Sequence, residues 1–236
     1  SSDWHTASNW CGNEVPVASS NVIVATSNPL VISSDVTIAS LTLGANANVT
    51  VNATLNVGDI TVATGGQLIV ANDAVVLQTE SATNTGLVAV KRNSVPLFRQ
   101  DYTLWSSPVF EPNLRNFSPQ TLYNRFFTYG YETSESGAYL QELFTASDVT
   151  NKKFTLGKGY LIRMPNDATE YLAQATPESF EGVFTGNLNN GTITFPLIGK
   201  VLGTSSGLNL VGNPYPSPIS IANFFATNTN IVQTLY

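Results

Sequence analysis

The chain carries a single cysteine, Cys11, in 236 residues. No intramolecular disulfide can form, so the many-bridged scaffold of small secreted domains is excluded and packing must supply the stability. Charge is also scarce, at 11% of residues, with ten basic against sixteen acidic side chains and a net charge of −6. No basic footprint exists for a phosphate backbone, which argues against nucleic acid as a partner. Apolar runs are short, and none approaches the roughly 18 residues that would span a bilayer. The only histidine is His5. There is no Gly-x-Ser-x-Gly elbow around a nucleophile and no zinc-type ligand spacing. The expectation is a non-enzymatic protein with no catalytic residues, metal or cofactor.

What the chain does have is Asn, Thr, Ser and Gly alternating with Val, Ile, Leu and aromatics, a mixture that favours strands and turns. It also repeats. Residues 22–40, 41–59 and 60–78 superimpose at a spacing of 19 residues. Val22 and Val24 match Leu41 and Leu43, then Ile60 and Val62; Leu30 and Ile32 match Val49 and Val51, then Leu68 and Val70. A third set runs Val36 and Ile38, Leu55 and Val57, Ala74 and Val76. Each pair is a period-two step, hence a very short strand with one inward face. Three such strands per unit, separated by turns such as Thr64-Gly65-Gly66, describe one triangular coil of a solenoid, with equivalent residues about 4.8 Å apart in the stack. The single apolar position every six residues of left-handed hexapeptide coils is absent, so a right-handed parallel β-helix is expected. A coil cannot bury its apolar face alone and its ends need caps, for which residues 4–16, with Trp4 and Trp10, are the natural N-terminal candidate.

After Glu80 the 19-residue pattern stops. Residues 81–95 read as a linker, and residues 96–236 as an antiparallel β-sandwich-like domain that is C-terminally incomplete. Strands are expected at Tyr102–Trp105, Phe126–Tyr131, Tyr139–Phe144, Tyr160–Met164, Phe180–Phe184, Thr192–Leu197 and Leu208–Val211. The clearest hairpin signal is Val183–Leu188 turning at Asn189-Asn190-Gly191 into Thr192–Phe195, because Asn-Gly tolerates positive φ. A helix is expected at Ile219–Phe225, capped by Ser220. The whole reads as all-β: 1–80 a capped β-helix of three coils, then the linker, then the sandwich-like domain, the chain being a segment of something longer.

Several short motifs occur in a recognisable order: Asp3-Trp4, Asn9-Trp10, Val15-Pro16, Leu55-Asn56-Val57-Gly58, Trp105-Ser106-Ser107-Pro108-Val109, Gly157-Lys158-Gly159-Tyr160, Phe184-Thr185-Gly186-Asn187-Leu188 and Leu210-Val211-Gly212-Asn213-Pro214-Tyr215-Pro216. Together they resemble large surface proteins of gliding, Bacteroidota-type bacteria that are cargo of the type IX secretion system. The resemblance implies an extracellular, cell-surface protein, an outer-membrane translocon as partner during export, and adhesion or gliding motility as the setting, with surface glycans or the motility adhesin apparatus as further partners.

Asp35 and Asp73 share a column of the repeat with Thr54 between them, about 9.6 Å apart by strand spacing, near the separation of an inverting carboxylate pair. Asp at a coil corner is also a turn residue, and no Lys or Arg occurs before Lys91 to serve an acidic sugar, so the turn reading is preferred. The outward columns Ile23–Thr42–Thr61, Val31–Thr50–Ile69 and Thr37–Asn56–Val75 lack the threonine ladders of an ice-binding face. Glu132, Glu135, Glu142 and Asp148 lie among Tyr129, Tyr131 and Tyr139 without the Asp-x-Asp spacing of a calcium loop. Binding, where it occurs, is expected at exposed aromatics: Trp4, Trp10, Tyr129, Tyr131 and Tyr139. The expected function is a structural or adhesive surface module, the alternative a carbohydrate-binding module or a polysaccharide lyase- or hydrolase-like β-helix.

Overall fold

The computed structural model describes residues 2–130, 137–145, 151–199 and 207–233. Nine short strands open the chain: β1 (Asn21–Val24), β2 (Leu30–Ile32), β3 (Val36–Leu43), β4 (Asn48–Val51), β5 (Thr54–Val62), β6 (Gln67–Val70), β7 (Val75–Leu77), β8 (Asn84–Thr85) and β9 (Val88–Asn93). They wind into a parallel β-solenoid with two sheets, β1-β3-β5-β7 with β8 also on β5, and β2-β4-β6-β9. The 19-residue repeat is the register itself: Val22 lies against Leu41, Leu41 against Ile60, and Val49 against Leu68.

The third expected strand of one unit and the first of the next are one continuous strand, β3 and then β5. In β3 the buried positions are Val36 and Ile38, then Leu41 and Leu43. Two consecutive outward residues, Ala39 and Ser40, therefore make a corner. Gly58 and Asp59 repeat that corner in β5, where a Cβ on Gly58 would sit 2.3 Å from the Ala39 carbonyl oxygen. Only glycine lets the coils approach there.

The repeat slips in its last stretch. Leu55 faces Val76, Leu68 faces Val88 and Ile60 faces Asn84, so the period lengthens from 19 residues once the chain has passed Asp73, whose φ is +64°. The stretch read as a linker carries β8 and β9, which extend both sheets into a fourth coil. The column Thr37–Asn56 continues to Leu77 rather than to Val75.

The remaining strands are β10 (Tyr102–Trp105), β11 (Phe126–Gly130), β12 (Ala138–Gln141), β13 (Tyr160–Arg163) and β14 (Glu181–Gly186), with helices α1 (Leu114–Phe117) and α2 (Ile221–Thr227). An antiparallel sheet runs β10-β13-β11-β12. β14 instead pairs antiparallel with β9 along its whole length, from Glu181↔Asn93 to Gly186↔Val88. It brings Phe184 into a packed group with Trp105, Phe117 and Phe154; the Phe117 and Phe184 rings stack at 4.5 Å and Trp105 meets Phe117 edge-on at 5.0 Å. The aliphatic interior of the solenoid and this aromatic group form one continuous core. Helix α2 runs two residues later than expected but carries the expected cap, the Ser220 hydroxyl accepting from the Asn223 amide.

The expected hairpin into Thr192–Phe195 does not form: no strand occupies those residues. Its turn residues are recruited elsewhere. Asn189 Nδ2 donates to the carbonyls of Ser107 and Pro214, and Asn190 Nδ2 to those of Thr79 and Ala82, which turns the chain away from β14. Leu208–Val211 likewise forms no strand and contributes only a bridge between Val211 and Lys158.

Candidate ligand-binding face

The two sides of the antiparallel sheet differ sharply. Trp105, Phe126, Tyr160 and Ile162 are buried against the core. The opposite side is set by register. Tyr102 faces Arg163, and Leu104 faces Leu161, which also faces Phe127. Phe127 faces Gln141, and Tyr129 faces Tyr139. Directly paired residues share a face, so these side chains form one surface. The Tyr129 and Tyr139 rings meet edge-on at 5.4 Å, and Tyr102 meets Phe127 at 5.8 Å. Tyr139 is 51% and Leu104 52% exposed. Beyond Leu104 a cleft of about 360 Å³ opens among Ser106, Gly159, Val211 and Tyr215.

Of the candidate aromatics, Tyr129 and Tyr139 are brought together on this face, and Tyr131 lies outside the described residues. Trp4 is fully buried, so it offers no stacking surface. Its amide donates to the Val31 carbonyl, Val31 in turn donates to Ser2, and Trp10 Nε1 donates to the Trp4 carbonyl at 2.7 Å. With the rings 4.6 Å apart, the two tryptophans close the N-terminal end of the solenoid. A signal for the rest of the face was present in the alternation of Tyr102 with Leu104 and Phe127 with Tyr129, but one strand's alternation does not tell which side is covered.

The polar candidates are engaged structurally. The slipped register removes the carboxylate column, because Thr54 faces Val75 rather than Asp73. Asp35 accepts from the Thr54 amide at 2.9 Å and Asp73 from Asn72 Nδ2, both as turn residues. A Ser-His-Asp grouping that the sequence did not suggest forms at the N-terminal end: Ser34 Oγ lies 3.3 Å from His5 Nδ1 and 3.5 Å from Nε2, and Asp3 lies 3.9 Å from the same Nδ1. A relay needs the acid on one ring nitrogen and the hydroxyl on the other; here both approach Nδ1 and the hydroxyl lies along neither lone pair. Asp3 is held below its ordinary value first by the Ser33 hydroxyl, a bond of 2.6 Å. Glu142 sits between Lys152 at 2.8 Å and Lys158 at 3.4 Å. Burial raises its pKa, but the Lys152 hydrogen bond and both ammonium charges more than reverse this, so the net shift is downward. Among the described residues no group of three His, Cys, Asp or Glu side chains is placed to hold a metal.

The motifs in the second half of the chain converge on a joint between solenoid and sheet. Asn189 ties Ser107 to Pro214, the Phe110 amide donates to Asn187, Gly159 donates to Leu210, and Tyr215 Oη donates to Gly191. Arg92 donates to the carbonyls of Ala71 and Ala74 in the coils and of Pro216. Gly212 is required because a Cβ there would lie 2.2 Å from Ser106 Cβ. This joint spans both halves, and one family profile matches across them, over residues 1–236, with the description domain of unknown function, DUF8693. The chain belongs to the DUF8693 family. No curated protein and no solved structure matches it. The joint and the closed solenoid end thus belong to a DUF8693 domain considered as a whole. No helix among the described residues is long and apolar enough to cross a membrane.

Proposed function

We propose that this DUF8693 chain is a non-enzymatic, extracellular surface module, in which the solenoid is a stiff spacer and the outer face of the antiparallel sheet makes adhesive contacts. The observation that carries this reading is the half-exposed row of Tyr139, Tyr129, Phe127 and Leu104 on one flat side of a sheet whose other side is core. Apolar surface kept at the exterior of a folded domain marks interaction sites. The candidate catalytic groups are occupied in turns and caps, which supports a binding role over a lyase- or hydrolase-like one. The motif resemblance supports export as type IX cargo in a Bacteroidota-type bacterium, with adhesion or gliding as the setting. The test is a pull-down of the full-length protein from the envelope of the producing cells, read by mass spectrometry. Translocon or motility components are expected to copurify, and Tyr139→Ala is expected to lose surface partners while keeping translocon ones. Recovery of neither class would overturn the reading.

A further inference from the structure

The outer face ends in a concentration of positive charge that adhesion through aromatics alone does not explain. Tyr102 pairs with Arg163, and Phe126 with Ile162. Arg125 closes a 3-10 turn (Tyr123–Arg125) one residue before Phe126 and so lies next to Arg163, the residue after Ile162, on which its charge acts. Arg163 is only 6% exposed, yet its side-chain partners among the described residues are neutral amides: Nη1 donates to Gln100 Oε1 at 3.3 Å and Nη2 to Asn166 Oδ1 at 3.2 Å. Its Nε, like that of neighbouring Arg99, is buried without an acceptor among the described residues. Arg99 is ion-paired with Glu170, whereas Arg125 makes no ion pair among the described residues. Burial lowers the Arg163 pKa; Tyr102 opposes this, and the charges of Arg125 and Arg99 add to it. A buried guanidinium beside like charges and without a carboxylate is strongly unfavourable unless an anion completes the site.

We propose that the half-exposed Arg125, with the buried charge of Arg163 behind it, holds the carboxylate or sulfate of an acidic glycan whose sugar rings lie along the aromatic rows of the same face. This inference rests on the reading of that face as a binding surface. The guanidinium fork matches planar oxyanions in two parallel hydrogen bonds, and successive rows along the strands lie about 7 Å apart, so one chain of sugars can touch both arginine and tyrosine rows. Charge complementarity favours the same end of the molecule. Asp3, Glu14, Asp35, Asp59, Asp73 and Glu80 occur before the first basic residue, Lys91, so an anionic polymer is repelled from the solenoid and directed to the sheet.

The test is calorimetric titration of the full chain with oligogalacturonate, dextran sulfate and neutral dextran at low and high salt. At least one acidic polymer is expected to bind about tenfold or more tighter than neutral dextran, with affinity falling as salt rises. Arg125→Gln, at a half-exposed position, is expected to weaken acidic binding at least about tenfold, the scale of a lost charge-assisted hydrogen bond, with an unchanged melting temperature. Arg163→Gln, which removes the charge behind Arg125, is expected to weaken it as well. Equal binding of neutral and acidic polymers that Tyr139→Ala abolishes would overturn the anion site while leaving the adhesive face intact. Acidic binding unaltered in Arg125→Gln would overturn it too. Absence of any glycan binding would overturn it outright, and the envelope pull-down then decides the adhesive reading separately.

Discussion

The two halves of the molecule reach a packed interior by opposite means. Through Val90 the chain contains no Phe or Tyr; all twelve Phe and nine Tyr come later. The solenoid core is a set of ladders in which Val, Leu and Ile stack on their equivalents in the next coil, such as Val36 on Leu55 and Leu55 on Val76. The coil interior is filled by these aliphatic ladders, and repetition does the work of shape matching. The second half has no repeat and relies on large rings meeting at defined angles. Charge divides the same way: the entire net charge of −6 lies before Lys91, and the remainder holds ten acidic and ten basic side chains. The two kinds of core are nevertheless contiguous, because β14 belongs to the solenoid sheet and carries a ring of the aromatic group. Repetition and ring packing therefore meet in one interior.

The strongest attempt to separate the halves is Phe184→Ala, expected to cost about 3–5 kcal/mol, set beside Leu55→Ala, expected to cost about 2–5 kcal/mol. Both residues are essentially buried. Each variant is expected to show one calorimetric transition at lower temperature; two transitions would mean that the halves unfold independently. A smaller effect is expected at the joint. Asn189→Ala removes the donor to Ser107 and Pro214 and should cost about 1–3 kcal/mol, visible as a shifted urea midpoint with an unchanged slope. A changed slope would mean that the variant no longer unfolds in a single step. The smallest effect is confined to the sheet half. The folded pKa of Glu142 lies below its ordinary value of 4.5, so its contribution is complete above that value and is lost as pH falls through the lowered one. Acid titration of stability should be shallower in Glu142→Gln, and an identical profile would remove Glu142 from the acid sensitivity.

Much of the solenoid was legible because a ladder writes its register into the sequence. The same regularity concealed its end: Val88 and Val90 continue the ladder of Leu68 and Val70, but longer turns after Asp73 and around residues 79–83 displace them from the 19-residue frame. The false hairpin at Asn189-Asn190-Gly191 had the right local chemistry and lost to partners more than eighty residues away in Ser107, Thr79 and Ala82. Tyr129 and Tyr139 could be named from sequence because both are aromatic in strand-like runs. Arg125 and Arg163 could not, since their proximity depends on the pairing of β11 with β13, while Trp4, legible as part of the N-terminal cap, is buried in that role and so lost as a binding candidate.

The antiparallel seating of β14 on β9 has a consequence for growth of the stack. A parallel solenoid is an open template, in which each finished turn offers the next one amides and carbonyls in the same direction, so like chains can in principle continue it into a fibre. Reversing the direction of the final strand ends that series at one end of the molecule, while Ser2 and Trp4 close over β2 at the other. The fold thus interrupts the series at both ends of the sheet that holds β2 and β9, which works against end-to-end growth of a strand-rich domain with little charge.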